Sequence, residues 1–242
     1  AEAVENYKRA KSFFTKANST RNAPRILRCS AMIAYLDFWL ADCVSERKRL
    51  ANEAYVLMKG SLRGFLEAGQ AWEYGESFNQ LSIIAGFACA LEQDYQIRER
   101  KTKEAVENGE RATTFLTKCG DPCELARAYV ETGVFLGWYG HYFLEPHKRE
   151  VSNRKAFGYV KKALKLSEEI ALLQLLDSVP ISPLEFWGVG SDGTLDNLRK
   201  ALEYAQKTRN KFLIGCAFDW LAFNSFWKAL AIEDSTEMLK LI

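Results

Sequence analysis

Small residues recur along this chain at two alternating positions, and the distance between them hardly varies. One helical pattern has a large residue, two spacers, then a medium and a small residue: Ile26…Cys29-Ser30, Phe78…Leu81-Ser82, Tyr129…Thr132-Gly133 and Phe218…Leu221-Ala222. The other has a small residue, three spacers, a bulkier or variable residue, two spacers and a second small one. It occurs as Ala3…Tyr7…Ala10, Ala54…Met58…Ser61, Ala105…Gly109…Ala112 and Ala156…Val160…Ala163, with Thr194…Leu198…Ala201 as a weaker copy. The step from the second pattern to the next first is 20 or 21 residues, and from the first to the next second 30 or 31, a period of about 51. A small residue at the same point of every helix lets backbones approach closely. Like units stacked in this way bury a core that one helix pair cannot bury alone.

The remaining signals agree with stacked helices. Apolar residues follow the helical period almost throughout, and no sustained strand-like alternation occurs. With 5 Pro and 15 Gly among 242 residues, punctuation is sparse and the elements are long. Helices are expected at about 2–18, 23–43, 45–68, 71–93, 96–118, 122–143 and 152–177, then 195–208, 210–232 and from 235 onward. Asp121-Pro122 is a strong start signal, because Asp caps a helix and Pro suits its first turn. Residues 172–193 break the pattern: Pro180, Pro183, Gly188, Gly190 and Gly193 fall where the period places a helix of the first pattern. This segment is expected to be an irregular insertion. Phe186 and Trp187 either form a functional tip or fill the gap in the core.

The two patterns together resemble the tetratricopeptide repeat, in which a W-x2-L-G-x2-Y helix is followed by an A-x3-F helix with a further small residue. Phe218…Leu221-Ala222…Ser225 and Ala156…Val160…Ala163 carry the resemblance best. The period of about 51 in place of 34 lengthens each helix of a pair by about two turns. The expected fold is all-α. The resemblance implies a right-handed superhelical solenoid of antiparallel helix pairs, running as one domain over residues 1–242. No initiator Met is present and the chain stops inside an apolar helical pattern at Met238–Ile242, so a fragment of a longer protein is expected. Long repeats of this kind are similar to those in the sensor regions of large regulators.

Several function classes find no support. Lys and Arg number 33 against 31 Asp and Glu, so no global charge draws the chain to nucleic acid or anionic membrane. The most apolar stretch, residues 81–91, is half the length a bilayer span needs. Four of the six cysteines stand alone in apolar helical runs, which points to reduced thiols and a cytoplasmic setting. Cys119 and Cys123 form a close pair, but no second pair or nearby histidine completes a metal set. His141 and His147 have no nucleophile at motif spacing, and the glycines of 188–193 lack the Lys-Ser/Thr end of a phosphate loop. An enzyme is not expected, nor a metal or cofactor.

Two surface patterns suggest what the chain binds. Arg47-Lys48-Arg49, Arg98 with Arg100-Lys101, and Lys148-Arg149 repeat with the period and start the helices of the second pattern. A cation there opposes the helix dipole. Stacking would align these residues into a basic edge, open to nucleic acid or an acidic partner, unless it is only solvated surface. Aromatics concentrate on the helices of the first pattern: Tyr35, Phe38 and Trp39, then Phe78 and Phe87, then Phe135 to Phe143, then Phe218 to Trp227. In tetratricopeptide proteins these helices line the concave surface. Spacing from the small residue then selects Glu76, Asn79, Ile83, Arg127, Val130, Val134, Asp219, Phe223 and Phe226 as the lining. Arg127 either reads the charge of a partner or pairs with Glu76 of the neighbouring repeat. The function expected is a non-enzymatic scaffold that binds a protein or peptide on this face. The alternatives are a ligand-sensing module of a larger regulator and nucleic-acid binding through the basic edge.

Overall fold

The structure is a computed structural model that describes residues 2–17 and 19–169, together with positions 199, 202, 203, 206, 207, 214, 215, 218, 221 and 222. Every regular element among the described residues is helical: α1 Glu2–Lys16, α2 Ala23–Leu40, α3 Val44–Glu67, α4 Ala71–Cys89, α5 Tyr95–Cys119, α6 Pro122–Phe143 and α7 Pro146–Glu169, with one 3₁₀ turn at Thr20–Asn22. The chain forms two compact units, Ala1–Phe135 and Leu136–Ile242, divided within α6. The irregular segment at 172–193 and the later expected helices lie outside the described residues.

Local chemistry sets the helix ends. Gly69 and Gly120 adopt left-handed φ angles of 66° and 73°, which end α3 and α5 at little cost for glycine. Asp94 accepts a hydrogen bond from the Ile97 N–H at 2.9 Å, and Asp121 accepts one from the Glu124 N–H at 2.9 Å. Asp121 also accepts the Trp72 indole N–H at 2.8 Å, so the α6 cap ties α6 to the start of α4. α7 begins six residues before the expected position 152. Pro146 supplies its first turn, which shortens the connection from α6 to Leu144 and Glu145.

In the first unit the small residues stand at the closest helix contacts. Ala54, Met58, Ser61, Ala105 and Ala112 are fully buried, and Ser82 is as well. Ser61 donates to the Pro24 carbonyl at 2.8 Å, which sets the end of α3 beside the start of α2. Ser82 donates to the Ala105 carbonyl at 2.7 Å. A Cβ at Gly109 would lie 2.5 Å from Thr132 Oγ1 and 3.2 Å from Ser82 Oγ, where α4, α5 and α6 converge. Successive helices pack on one another, and Ala31, Ala34, Phe38, Met58, Leu81 and Ile84 form a core shared by α2, α3 and α4. In the second unit Ala156 and Ala163 are fully buried, and Ser152 donates to the Leu136 carbonyl at 3.0 Å. Phe218 departs from its pattern: it is 54% exposed, whereas Phe78 is buried.

The first helix also departs from the expected pattern. Its Ala3 is exposed and its Tyr7 and Ala10 are half-buried. It packs on α2. Cys29, which α1 covers from the side of Tyr7 and Lys11, stands about 140° around α2 from Ala34, which faces α3. α1 therefore lies on the opposite side of α2 from α3.

Candidate partner-binding face

Side chains of α2, α4 and the first part of α6 meet at an offset of 48 residues. Arg25 pairs with Glu73 at 2.6 Å, Arg28 pairs with Glu76, and Trp39 packs edge-on against Phe87 with centroids 5.1 Å apart. Phe87 meets Phe135 in the same way at 6.0 Å. This offset is about one helical turn shorter than the spacing of about 51 residues expected from the sequence. The face they share reads as parallel rows: Arg28, Glu76 and Glu124; one end further, Tyr35, Ile83 and Glu131; then Trp39, Phe87 and Phe135. One end of the face is ionic and the other aromatic.

This offset decides the partner of Arg127. It does not pair with Glu76. It lies exposed, 2.6 Å from Glu124 three residues earlier on its own helix. Glu76 takes its cation from α2 and feels Glu124, not Arg127, from the α6 side. Burial pushes the Glu76 carboxyl up, and the Arg28 guanidinium pulls it back. Of the other expected lining residues, Ile83 and Val134 are half-buried and accessible. Asn79 and Val130 are buried, 4% and 6% exposed, and a partner does not reach them while the helices stay packed. Asp219, Phe223 and Phe226 lie outside the described residues.

α1 reaches the ionic end. Burial, and next the Glu76 carboxylate, push the Tyr7 phenol up, and Arg28 and Glu124 also act on it. One α1 side chain thus lies within electrostatic reach of charges on α2, α4 and α6 together. At the aromatic end Trp39 is 50% exposed. Its indole sits edge-on to Tyr35 at 6.2 Å. Burial raises the Tyr35 phenol to about 12, the Trp39 indole opposes that, and Glu131 adds to it from α6. Glu131 is enclosed deeply enough that burial alone raises it to about 7, yet it retains some water contact. No ion pair or hydrogen bond to its carboxylate occurs among the described residues.

Spacing from the small residue misses this carboxylate. Glu131 lies two residues before Gly133, between the positions that rule selects. The aromatic partners Tyr35, Trp39 and Phe87 were legible as aromatics but not as one cluster, since the 48-residue offset exists only in the packed helices.

The basic edge has a structural explanation. Arg47, Arg98 and Arg149 each donate to a backbone carbonyl in the connection before their own helix. Arg47 Nε donates to the Ala41 carbonyl at 2.9 Å, Arg98 Nε to the Glu92 carbonyl at 2.9 Å, and Arg149 Nη2 to the Leu144 carbonyl at 3.5 Å. At Ala41 and Leu144, which directly follow α2 and α6, the cation also meets the negative end of the preceding helix, where it is favourable. Lys48 and Lys101 share Glu92 at 3.3 and 2.5 Å, which holds that carboxyl low. Arg49 is held by Glu46 and Glu53, both at 2.8 Å. Arg100 and Lys148 are exposed and have no side-chain partner among the described residues.

No family model matches the chain, and no curated protein does. Solved structures do match, 17 chains in all. Among them is a circular tandem repeat protein described as having a novel repeat topology and enhanced subunit contact surfaces. It is 11% identical, with a TM-score of 0.37 over 98% of this chain and 55% of its own. The chain therefore spans about half the length of that protein. No helix among the described residues is long and apolar enough to cross a membrane.

Proposed function

We propose that this protein is a non-enzymatic scaffold, a right-handed tetratricopeptide-like solenoid, that binds a protein or peptide segment on the face formed by α2, α4 and α6. The observation that carries the reading is the position of α1. α1, a helix of the chain itself that packs on α2, brings Tyr7 within electrostatic reach of Arg28, Glu76 and Glu124. The face thus offers what a bound segment needs: paired charges that set register and, beyond α1, exposed aromatic surface. Nucleic-acid binding through the basic edge is less well supported, because most of its cations are engaged by carbonyls or carboxylates. Binding on the face would leave Ile83, Val134, Arg127 and Trp39 as the accessible contacts.

A peptide-display selection on the intact chain tests this. Selected peptides should lose at least tenfold in affinity for Ile83→Arg and for Val134→Arg. They should be unaffected by Val56→Arg, since Val56 is exposed on α3. Circular dichroism would verify that each variant folds. Peptides that bind all three folded variants alike would overturn the assignment of the face.

A further inference from the structure

We infer that the aromatic end of this face is a recess for one basic side chain, a lysine or arginine of the partner's bound segment, walled by Tyr35 and Trp39 of α2 and Phe87 of α4 and closed by the Glu131 carboxylate of α6. The inference rests on the partner-binding reading and adds the chemistry of what is bound.

Three ring contacts, one helical turn and one electrostatic coupling link three helices. Tyr35 meets Trp39 at 6.2 Å, Trp39 meets Phe87 at 5.1 Å, and Phe87 meets Phe135 at 6.0 Å. Phe135 lies one turn beyond Glu131 on α6, and Glu131 lies within electrostatic reach of the Tyr35 phenol. The 48-residue register places Ile83 between Tyr35 and Glu131. Phe135 is fully buried over Gly86, where a Cβ would run into its ring, and forms the inner end of the row. Trp39 is half-exposed, so the outer end is open.

The charge pattern singles out a cation as the occupant. The other two acids on these rows each have a cation of the chain beside them: Glu76 has Arg28 and Glu124 has Arg127. Glu131 has none among the described residues, although burial raises its carboxyl further. Ring faces elsewhere also take the protein's own cations, as where Lys59 stands 4.6 Å over Tyr55 and Lys161 4.6 Å over Phe157. No such cation stands over Tyr35 or Trp39 among the described residues. An enclosed carboxylate beside aromatic faces attracts an ammonium or guanidinium twice, by charge and by the ring quadrupoles. A neutral apolar side chain would leave the carboxylate uncompensated. A basic side chain satisfies both.

The test uses the full chain, labelled with ¹⁵N, and three probes: N-acetyl-lysine methylamide, N-acetyl-arginine methylamide and the neutral N-acetyl-norleucine methylamide, which is the lysine probe without its ammonium. The Trp39 indole N–H, assigned by its loss in Trp39→Phe, reports binding. Both basic probes should shift it, with the norleucine probe at least tenfold weaker. Glu131→Gln, which keeps the shape, should remove that preference. Trp39→Ala should weaken the basic probes at least fivefold, read on α4 and α6 amides. The recess is overturned if norleucine binds as well as lysine, if Glu131→Gln binds the basic probes like the wild type, or if neither basic probe shifts Trp39. In the last case, display-selected peptides that still depend on Ile83 and Val134 would leave the partner face standing. Peptides independent of those residues would remove the face as well.

Discussion

Replacing Glu131 with glutamine should stabilise the protein, and by an amount that depends on pH. Burial lifts this carboxyl to about 7 in the folded chain from an ordinary value of 4.5. An acid raised on folding favours the protonated form in the native state. As pH rises above 4.5 the unfolded chain gives up this proton first, so folding stability falls by about 1.4 kcal/mol per pH unit until the folded group ionises near 7. The full difference is about 3 kcal/mol, an upper bound because some water reaches the group. Glutamine stays neutral, so the gap between variant and wild type should be close to zero at pH 4 and approach that bound at pH 8. For a chain of this length that corresponds to a rise in Tm of up to about 6–12 °C. Urea unfolding followed by circular dichroism at pH 4, 6 and 8, in amine-free buffer, measures it. Glu76 and Glu104 are also pushed up by burial, but they are common to both proteins and cancel in the difference. A gap that does not change with pH, or a variant less stable than wild type at pH 8, would refute the reasoning: the first means that folding leaves the carboxyl unshifted, the second that the carboxylate already has a partner in the folded chain.

Three further outcomes follow from the packing. Gly109→Ala should cost about 1–3 kcal/mol by thermal unfolding despite the better helix former, because its Cβ meets Thr132 Oγ1, which is held by a 2.6 Å bond to the Ala128 carbonyl; adding Thr132→Ala should recover part of the loss. Arg98→Ala should lower stability by about 1 kcal/mol by removing the bond to the Glu92 carbonyl, while Arg100→Ala should stay within about 0.5 kcal/mol. Equal effects of these two would show that the carbonyl bonds do not explain the repeated arginines. Arg127→Ala should change stability by less than about 0.5 kcal/mol, since its pair with Glu124 is a surface one, while affinity for a face-binding peptide falls by about 1 kcal/mol or more.

The sequence alone determined the helices and the residues at their closest approaches. Apolar period, cap residues and the left-handed glycines are local features, and the ends of α2 to α6 fell within a few residues of those expected from them. Ala54, Ala105, Gly109 and Ala156 were legible as contact points because a position that tolerates only small side chains shows in the residue type itself. α7 starts ahead of its expected position because Pro146, with its fixed φ, supplies the first turn.

What tertiary structure decided is how the helices slide and turn against one another. The repeat period says which residues are equivalent, not which ones touch. An offset one turn shorter than that period moves Glu76 from Arg127 to Arg28 and brings Trp39 onto Phe87. The same offset sets Glu131 among aromatics far from it in sequence. The placement of α1 was also a tertiary choice: its small residues match those of α3 and α5, yet it lies on the other side of α2. The repeated arginines show the limit from the other direction. Their period was plain in the sequence, but the carbonyl each one holds lies in the connection before its helix, and only the folded turn brings the two together.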